Sequence, residues 1–168
     1  MTRLPELGRR GEGWVLIQAI LLGLVALTGL LGPWWSGALR LATSAVGVIR
    51  MGGGVVFVVL GARHLLARDA LTALPFPRDE ATFVETGAYR VVRHPIYSGI
   101  ISGAVGWGLV TASPAALGVA AALFAFLDLK SRREEAWLER RFPGYLAYQA
   151  RTPRLIPWLG GARGSARE

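Results

Sequence analysis

Two short polar stretches carry the residue types that could do chemistry. The first is Gly87-Ala88-Tyr89-Arg90-Val91-Val92-Arg93-His94-Pro95-Ile96-Tyr97-Ser98-Gly99, and the second is Lys130-Ser131-Arg132-Arg133-Glu134-Glu135. Pro95 suits the first turn of a helix, where its missing N–H is not needed, and it pushes His94 towards an extended backbone. Arg93, His94 and the unpaired N–H groups of that helix start then form a spot that attracts anions, a ligand carboxylate among them. Taken alone, the same residues also read as the flank of a membrane helix. In the second stretch, acids among basic residues usually make a solvated helix face, where an exposed pair is worth only ~0–1 kcal/mol. A site needs one of the acids to turn inward towards a cationic ligand.

Other chemistries are excluded by residue counts. The 168 residues include no Cys, which rules out disulfides, thiolate-ligated metals and thiol catalysis. The two His residues lack the HExxH spacing, so a metalloprotease is not expected, and no metal site is assigned.

The elements that must position these stretches are read from hydropathy. Apolar residues make up 52% and charged residues 18%, against roughly 45–50% and about 25% in soluble domains. Mean hydropathy is +0.40, and the apolar residues are gathered into runs. Residues 14–35 hold only Gln18 and Thr28 as plainly polar side chains, long enough for a bilayer core of ~30 Å. Trp14 and Trp34-Trp35 are placed at its two interfaces. The run is long for a secretion signal and no Ala-x-Ala cleavage site follows, so a retained span is expected. Further spans are expected at about 41–66, 96–111 and 114–129, the last two forming a hairpin around Ala112-Ser113-Pro114. Gly99 and Gly103, with the Ser102/Gly106 pair, have the spacing that allows close helix approach. Arg50 interrupts the second run beside Gly52-Gly53-Gly54, read as a packing face or kink. An arginine there costs at least ~2.5–3.5 kcal/mol on insertion scales, so it is expected to face protein or a cavity, with snorkelling as the alternative.

The fold class is therefore an all-α integral membrane protein of about four transmembrane helices, a single domain over 1–168. Net charge is +8, from 19 basic and 11 acidic residues. With Arg50 set aside, seventeen basic residues fall in the N-terminal, central and C-terminal polar segments, and Arg40 alone falls opposite. That bias places both termini in the cytoplasm. It accounts for the basic charge without nucleic acid, for which no aromatic-basic platform is present. Gly161–Glu168 reads as a disordered tail.

The GAYRVVRHPIYSG element, a hydrophobic hairpin, and then REEAWLERRFPGYLAYQARTPRLIP together resemble the isoprenylcysteine carboxyl methyltransferase family and the related membrane phospholipid methyltransferases. The resemblance covers about residues 60–159. It implies methyl transfer from S-adenosylmethionine to a lipid or hydrophobic small molecule at the membrane–cytoplasm boundary, with segments of about 74–99 and 130–159 forming the cofactor site. Carried over residue by residue, it nominates Ala81, Thr82, Phe83, Val84, Tyr89, His94, Pro95, Ile96 and Tyr97 around the cofactor. Glu134 is the carboxylate for the ammonium of its methionine moiety, and Glu135 a second candidate. Lys130 stands where the prenylcysteine branch has a substrate-contacting arginine, keeping the charge without the bidentate fork. Consistent with a non-Rossmann cofactor site, no GxGxxG follows a strand pattern. The arginine-rich composition, with one lysine, suggests a GC-rich bacterial source and hence a bacterial inner membrane. Two other readings fit less of the chain: an NADPH-dependent membrane reductase of the sterol-reductase kind, and a non-enzymatic four-span membrane protein.

Overall fold

The computed structural model describes residues 12–67 and 84–157. Among them there is no strand. The helices are α1 (Glu12–Gly29), α2 (Gly37–Leu66), α3 (Pro95–Val110), α4 (Pro114–Arg141) and α5 (Tyr145–Arg151), with a 3₁₀ turn, Gly87–Arg90, ahead of α3. Helices α1, α2 and α4 are long and apolar enough to cross a membrane, and α3 is a shorter apolar helix. At ~1.5 Å per residue α3 spans about 24 Å and α2 about 45 Å. Residues 161–168, expected to form a tail, lie outside the described segments.

The first span is shorter than the hydrophobic run. Helix α1 ends at Gly29, because Gly32 takes φ +90 and Pro33 follows it. Trp34 is then drawn into the turn between α3 and α4, its N–H donating to Ala112 O at 2.9 Å. Ser113 Oγ accepts from Ala116 N and donates to Thr28 O at 2.8 Å, capping α4 and fastening it to the end of α1. Trp14, expected at a membrane interface, packs against α4. It is buried, its ring 5.4 Å from that of Phe126, with Arg133 stacked over it.

The closest packing in the bundle joins α2 to α3 rather than α3 to α4. Gly47, Gly54 and Gly61 recur every seventh residue on α2, and Gly99 and Gly106 do so on α3. The helices run antiparallel, so Gly54 meets Gly99 and Gly47 meets Gly106, while Gly61 takes Pro95 and Ile96. A Cβ at Gly54 would lie 2.6 Å from Gly99 O, and one at Gly106 would lie 2.6 Å from Gly47 O. In a bilayer, where the hydrophobic effect does not drive helices together, this backbone approach supplies the dispersion contact. Gly103, expected to share in the packing, has open space where a Cβ would go. The α3–α4 hairpin closes at Gly108 against Leu117 instead.

Arg50 also departs from expectation. It lies within α2 but is exposed, on a flank of the helix where Ser102 Oγ donates to its carbonyl. Gly52 and Gly53 beside it are open as well, so only Gly54 of that triplet packs.

Two substitutions one turn apart on α3 test the glycine seam. Gly99→Ala should destabilise by about 1–3 kcal/mol through overpacking, whereas Gly103→Ala should be neutral or stabilise by up to ~1 kcal/mol. Thermal melts in detergent check both, and equal effects would argue against the seam. Arg50→Leu should leave the melting temperature unchanged or raised, and a drop would show that the guanidinium makes protein contacts.

Candidate functional site

The site is assembled where α3 begins and α4 leaves the apolar part of the bundle. His94 precedes α3 as its N-cap residue and Pro95 occupies the first turn. The α4 sequence turns from apolar to charged after Leu129, yet Lys130, Ser131 and Glu135 remain buried on one side of it. The spacing of Tyr97 from His94, three residues on a helix, puts their rings together, stacked at 5.5 Å between centroids.

These rings receive the paired acids of α4. Tyr97 OH donates to Glu134 Oε1 at 2.5 Å. His94 stands between the two carboxylates, Nδ1 3.5 Å from Glu134 Oε2 and Nε2 3.1 Å from Glu135 Oε1. Glu135 is the more enclosed, its side chain 3% exposed against 13% for Glu134. Arg93 meets Glu135 with two prongs, Nε to Oε1 at 2.7 Å and Nη2 to Oε2 at 3.2 Å. Its remaining nitrogen, Nη1, donates to Gln149 O and Thr152 O, satisfying the carbonyls that end α5. Arg154 adds Nε to Glu135 Oε2 and Nη1 to Asp128 Oδ1, both at 3.0 Å.

The chain after α5 is fastened to the α3 start by backbone as well. Arg93 N donates to Pro153 O at 2.9 Å and His94 N to Arg154 O at 3.1 Å, and Ser98 Oγ donates to Leu155 O. Tyr148 OH donates to Tyr89 O, tying α5 to the 3₁₀ turn. That turn needs Gly87, which has φ +62 and faces the His64 ring so closely that a Cβ would fall within it.

The two acids are pushed in opposite directions. For Glu135 burial raises the pKa, but the hydrogen bonds and charges of His94 and Arg93 outweigh it and hold the carboxyl at about 2. For Glu134 burial dominates over His94, Tyr97 and Lys130, and its pKa is raised. Adjacent carboxyls driven apart in this way take different roles. Glu135 is an anion locked into the fold, and Glu134 is an enclosed carboxylate that gains from any added cation.

Of the residues nominated from the sequence, His94, Tyr97, Glu134 and Glu135 are brought together. Lys130 is 1% exposed, with Nζ donating to Gln18 Oε1 at 2.8 Å and lying 5.3 Å from the Tyr97 ring centroid. Tyr89 is buried in the adjoining turn and Val84 just before it. Pro95 and Ile96 pack against Gly61 of α2. Ala81, Thr82 and Phe83 lie outside the described residues. Sequence reasoning missed the parts played by Arg154, Asp128 and Gln18. Asp128 and Gln18 were visible as rare polar residues at or within apolar runs, but Arg154 shows its role only through its partners.

An apolar groove runs along the bundle below this cluster, about 490 Å³ in volume, between α1, α2 and α3. Leu22, Val25, Val58, Ile100, Gly103 and Trp107 are among its lining. On the helices that line it, Ile100 lies one turn after Tyr97 and Leu22 one turn after Gln18.

The pH dependence of stability follows from Glu135. Its folded pKa lies below the ordinary 4.5, so its contribution is complete above that value and is lost as pH falls towards about 2. Melting temperature of the wild type should therefore fall across that acid range, while Glu135→Gln should start lower and depend less on pH. Removing one partner of a buried ion pair costs about 3–5 kcal/mol, and an unchanged melt at neutral pH would show the network to be dispensable.

The phospholipid methyltransferase family pattern matches residues 42–144, from most of α2 through all of α4 and into the turn before α5. The cobalt-zinc-cadmium resistance protein CzcN of Cupriavidus metallidurans is 36% identical over 90 residues, covering 53% of this chain and 42% of that protein. The nickel-cobalt-cadmium resistance protein NccN of Alcaligenes xylosoxydans xylosoxydans is 36% identical over 83 residues, covering 49% of this chain and 39% of that protein. The chain thus spans about two fifths of the length of these relatives. No solved structure matches. With its matched segment holding the α2–α3 seam, the RHPxY start of α3 and the paired acids of α4, the chain belongs to the phospholipid methyltransferase family.

Proposed function

We propose that the protein transfers a methyl group from S-adenosylmethionine to a lipid or other hydrophobic acceptor, at the polar end of the helix bundle. The observation that carries this reading is the split pair of acids. Glu135 is saturated by Arg93, His94 and Arg154, whereas Glu134 is enclosed, held by the Tyr97 hydroxyl, and raised in pKa by burial. A carboxylate in that state fits the ammonium of an amino-acid moiety, and the α3 start beside it favours a carboxylate. The residues present therefore suit the methionine end of the cofactor.

When bound, S-adenosylmethionine supplies a methyl group on a sulfonium, displaced in line by the acceptor. For this the protein has chiefly to align the partners. Glu134 would hold the ammonium, and Tyr97 fixes the orientation of Glu134. His94, between both acids, ties Glu134 to the rigid Arg93–Glu135–Arg154 network. The apolar groove suits the chain of a lipid entering from the bilayer. A carboxylate acceptor needs no base, whereas an amine or hydroxyl has to lose a proton.

The charge bias of the polar segments supports cytoplasmic termini in a bacterial inner membrane. The names of CzcN and NccN concern metal resistance. Arg93 and Arg154 on Glu135 disfavour a divalent cation at this cluster, so we read any link to resistance as running through membrane chemistry rather than metal binding here.

Glu134→Gln separates binding from folding. Because burial raises the Glu134 pKa, the ionised carboxyl costs stability at neutral pH, and the glutamine variant should melt at an equal or higher temperature without ligand. Its affinity for S-adenosylhomocysteine should fall about 10-fold or more, the equivalent of losing a charge-assisted hydrogen bond. Glu139→Gln, at an exposed acid that accepts from the Gln149 amide, should bind as wild type. Undiminished affinity in Glu134→Gln would remove that residue from the cofactor site.

A further inference from the structure

Helix α1 lies wholly outside the segment that matches the family, residues 42–144, yet one of its side chains reaches the site. We propose that Gln18 is a positioning residue: its side-chain carbonyl fixes the Lys130 ammonium beside the Tyr97 ring of the His94–Tyr97–Glu134 cluster. The inference rests on the methyltransferase reading for what the site does, but the tether itself stands on geometry.

Three observations carry it. Gln18 is one of two plainly polar side chains in the first apolar run, and the other, Thr28, spends its hydroxyl on Leu24 O and Val25 O of its own helix. Gln18 instead reaches across to α4, its Oε1 accepting from Lys130 Nζ at 2.8 Å. An ammonium 1% exposed cannot be left to water, so the acceptors around it decide where it stands.

The register of α1 on α4 confirms that this contact belongs to a ladder. Trp14 lies against Phe126 and Arg133, Gln18 against Lys130, and Val25 joins Leu123 and Leu127 in the core. Both neighbours of the Gln18–Lys130 bond on α1 are therefore fixed by packing. The ammonium so placed lies 5.3 Å from the ring centroid of Tyr97, the residue that holds Glu134. A lysine stem is flexible and its head a point charge, so it needs such a fixed acceptor more than an arginine fork would.

Lys130 is the single lysine of the chain, which makes the test direct. The full-length protein, labelled with [ζ-¹⁵N]lysine in detergent micelles, gives one side-chain ammonium resonance. In Gln18→Leu that resonance should move and its hydrogen exchange should quicken about 10-fold or more, with the helical fold kept by circular dichroism. Gln18→Glu, which retains the acceptor, should restore slow exchange. A resonance unaltered in Gln18→Leu would overturn the proposal, because a merely structural glutamine would leave the ammonium where it is.

Saturating S-adenosylhomocysteine should shift the wild-type resonance. If calorimetry shows the ligand bound and the resonance does not respond, Lys130 is outside the site and the proposal falls. If calorimetry shows no binding at all, it is the methyltransferase reading that fails, while the ligand-free spectra still decide the tether.

Discussion

Everything at the polar end of this bundle depends on one buried carboxylate. Glu135 collects Arg93 in a two-pronged pair, His94 and Arg154, and so draws together the start of α3, the middle of α4 and the chain beyond α5. A buried acid with no partners would be strongly disfavoured. With these partners it is held ionised far below neutral pH. Arg93 in turn ends α5 by capping its last carbonyls, so a single guanidinium serves both the charge and the local fold. The consequence for function is geometric. Once Glu135 is fixed, helix geometry dictates where Glu134 points, and His94 and Tyr97 receive it.

The membrane part solves a different problem with different means. Lipid offers no hydrophobic drive for helix association, and the seam between α2 and α3 depends on glycines that let two backbones touch. That seam keeps α3 upright against α2 while α1 leans on α4, leaving an apolar groove between α1 and α2.

The sequence made the helices and the polar end legible because both rest on local signals. Apolar runs, the proline at the start of α3 and the turn at Ser113 each mark an element, and the RHPxY and paired-acid stretches contain residues that the fold brings together. What the sequence hid is tertiary. The period of seven in the glycines is visible in the chain, but which helix they face is decided by pairing, so Gly103 looked equivalent to Gly99 and is not. Trp14 reads from the sequence as an interfacial residue, but that an apolar neighbour and a cation on α4 give it a buried place is visible only in the fold. The charge run around Glu134 suggested near neighbours as partners for the acids. The structure gives Glu135 distant ones, because a helix can turn an acid inward only where another segment brings a cation.

The central claim is that the cluster at the start of α3 is built for the amino-acid end of S-adenosylmethionine. Calorimetric titration of the purified full-length protein in detergent with S-adenosylhomocysteine, and separately with NADPH, tests it most directly. The expected result is saturable binding of S-adenosylhomocysteine at one site per chain and none of NADPH. Binding of NADPH with no response to S-adenosylhomocysteine would contradict it.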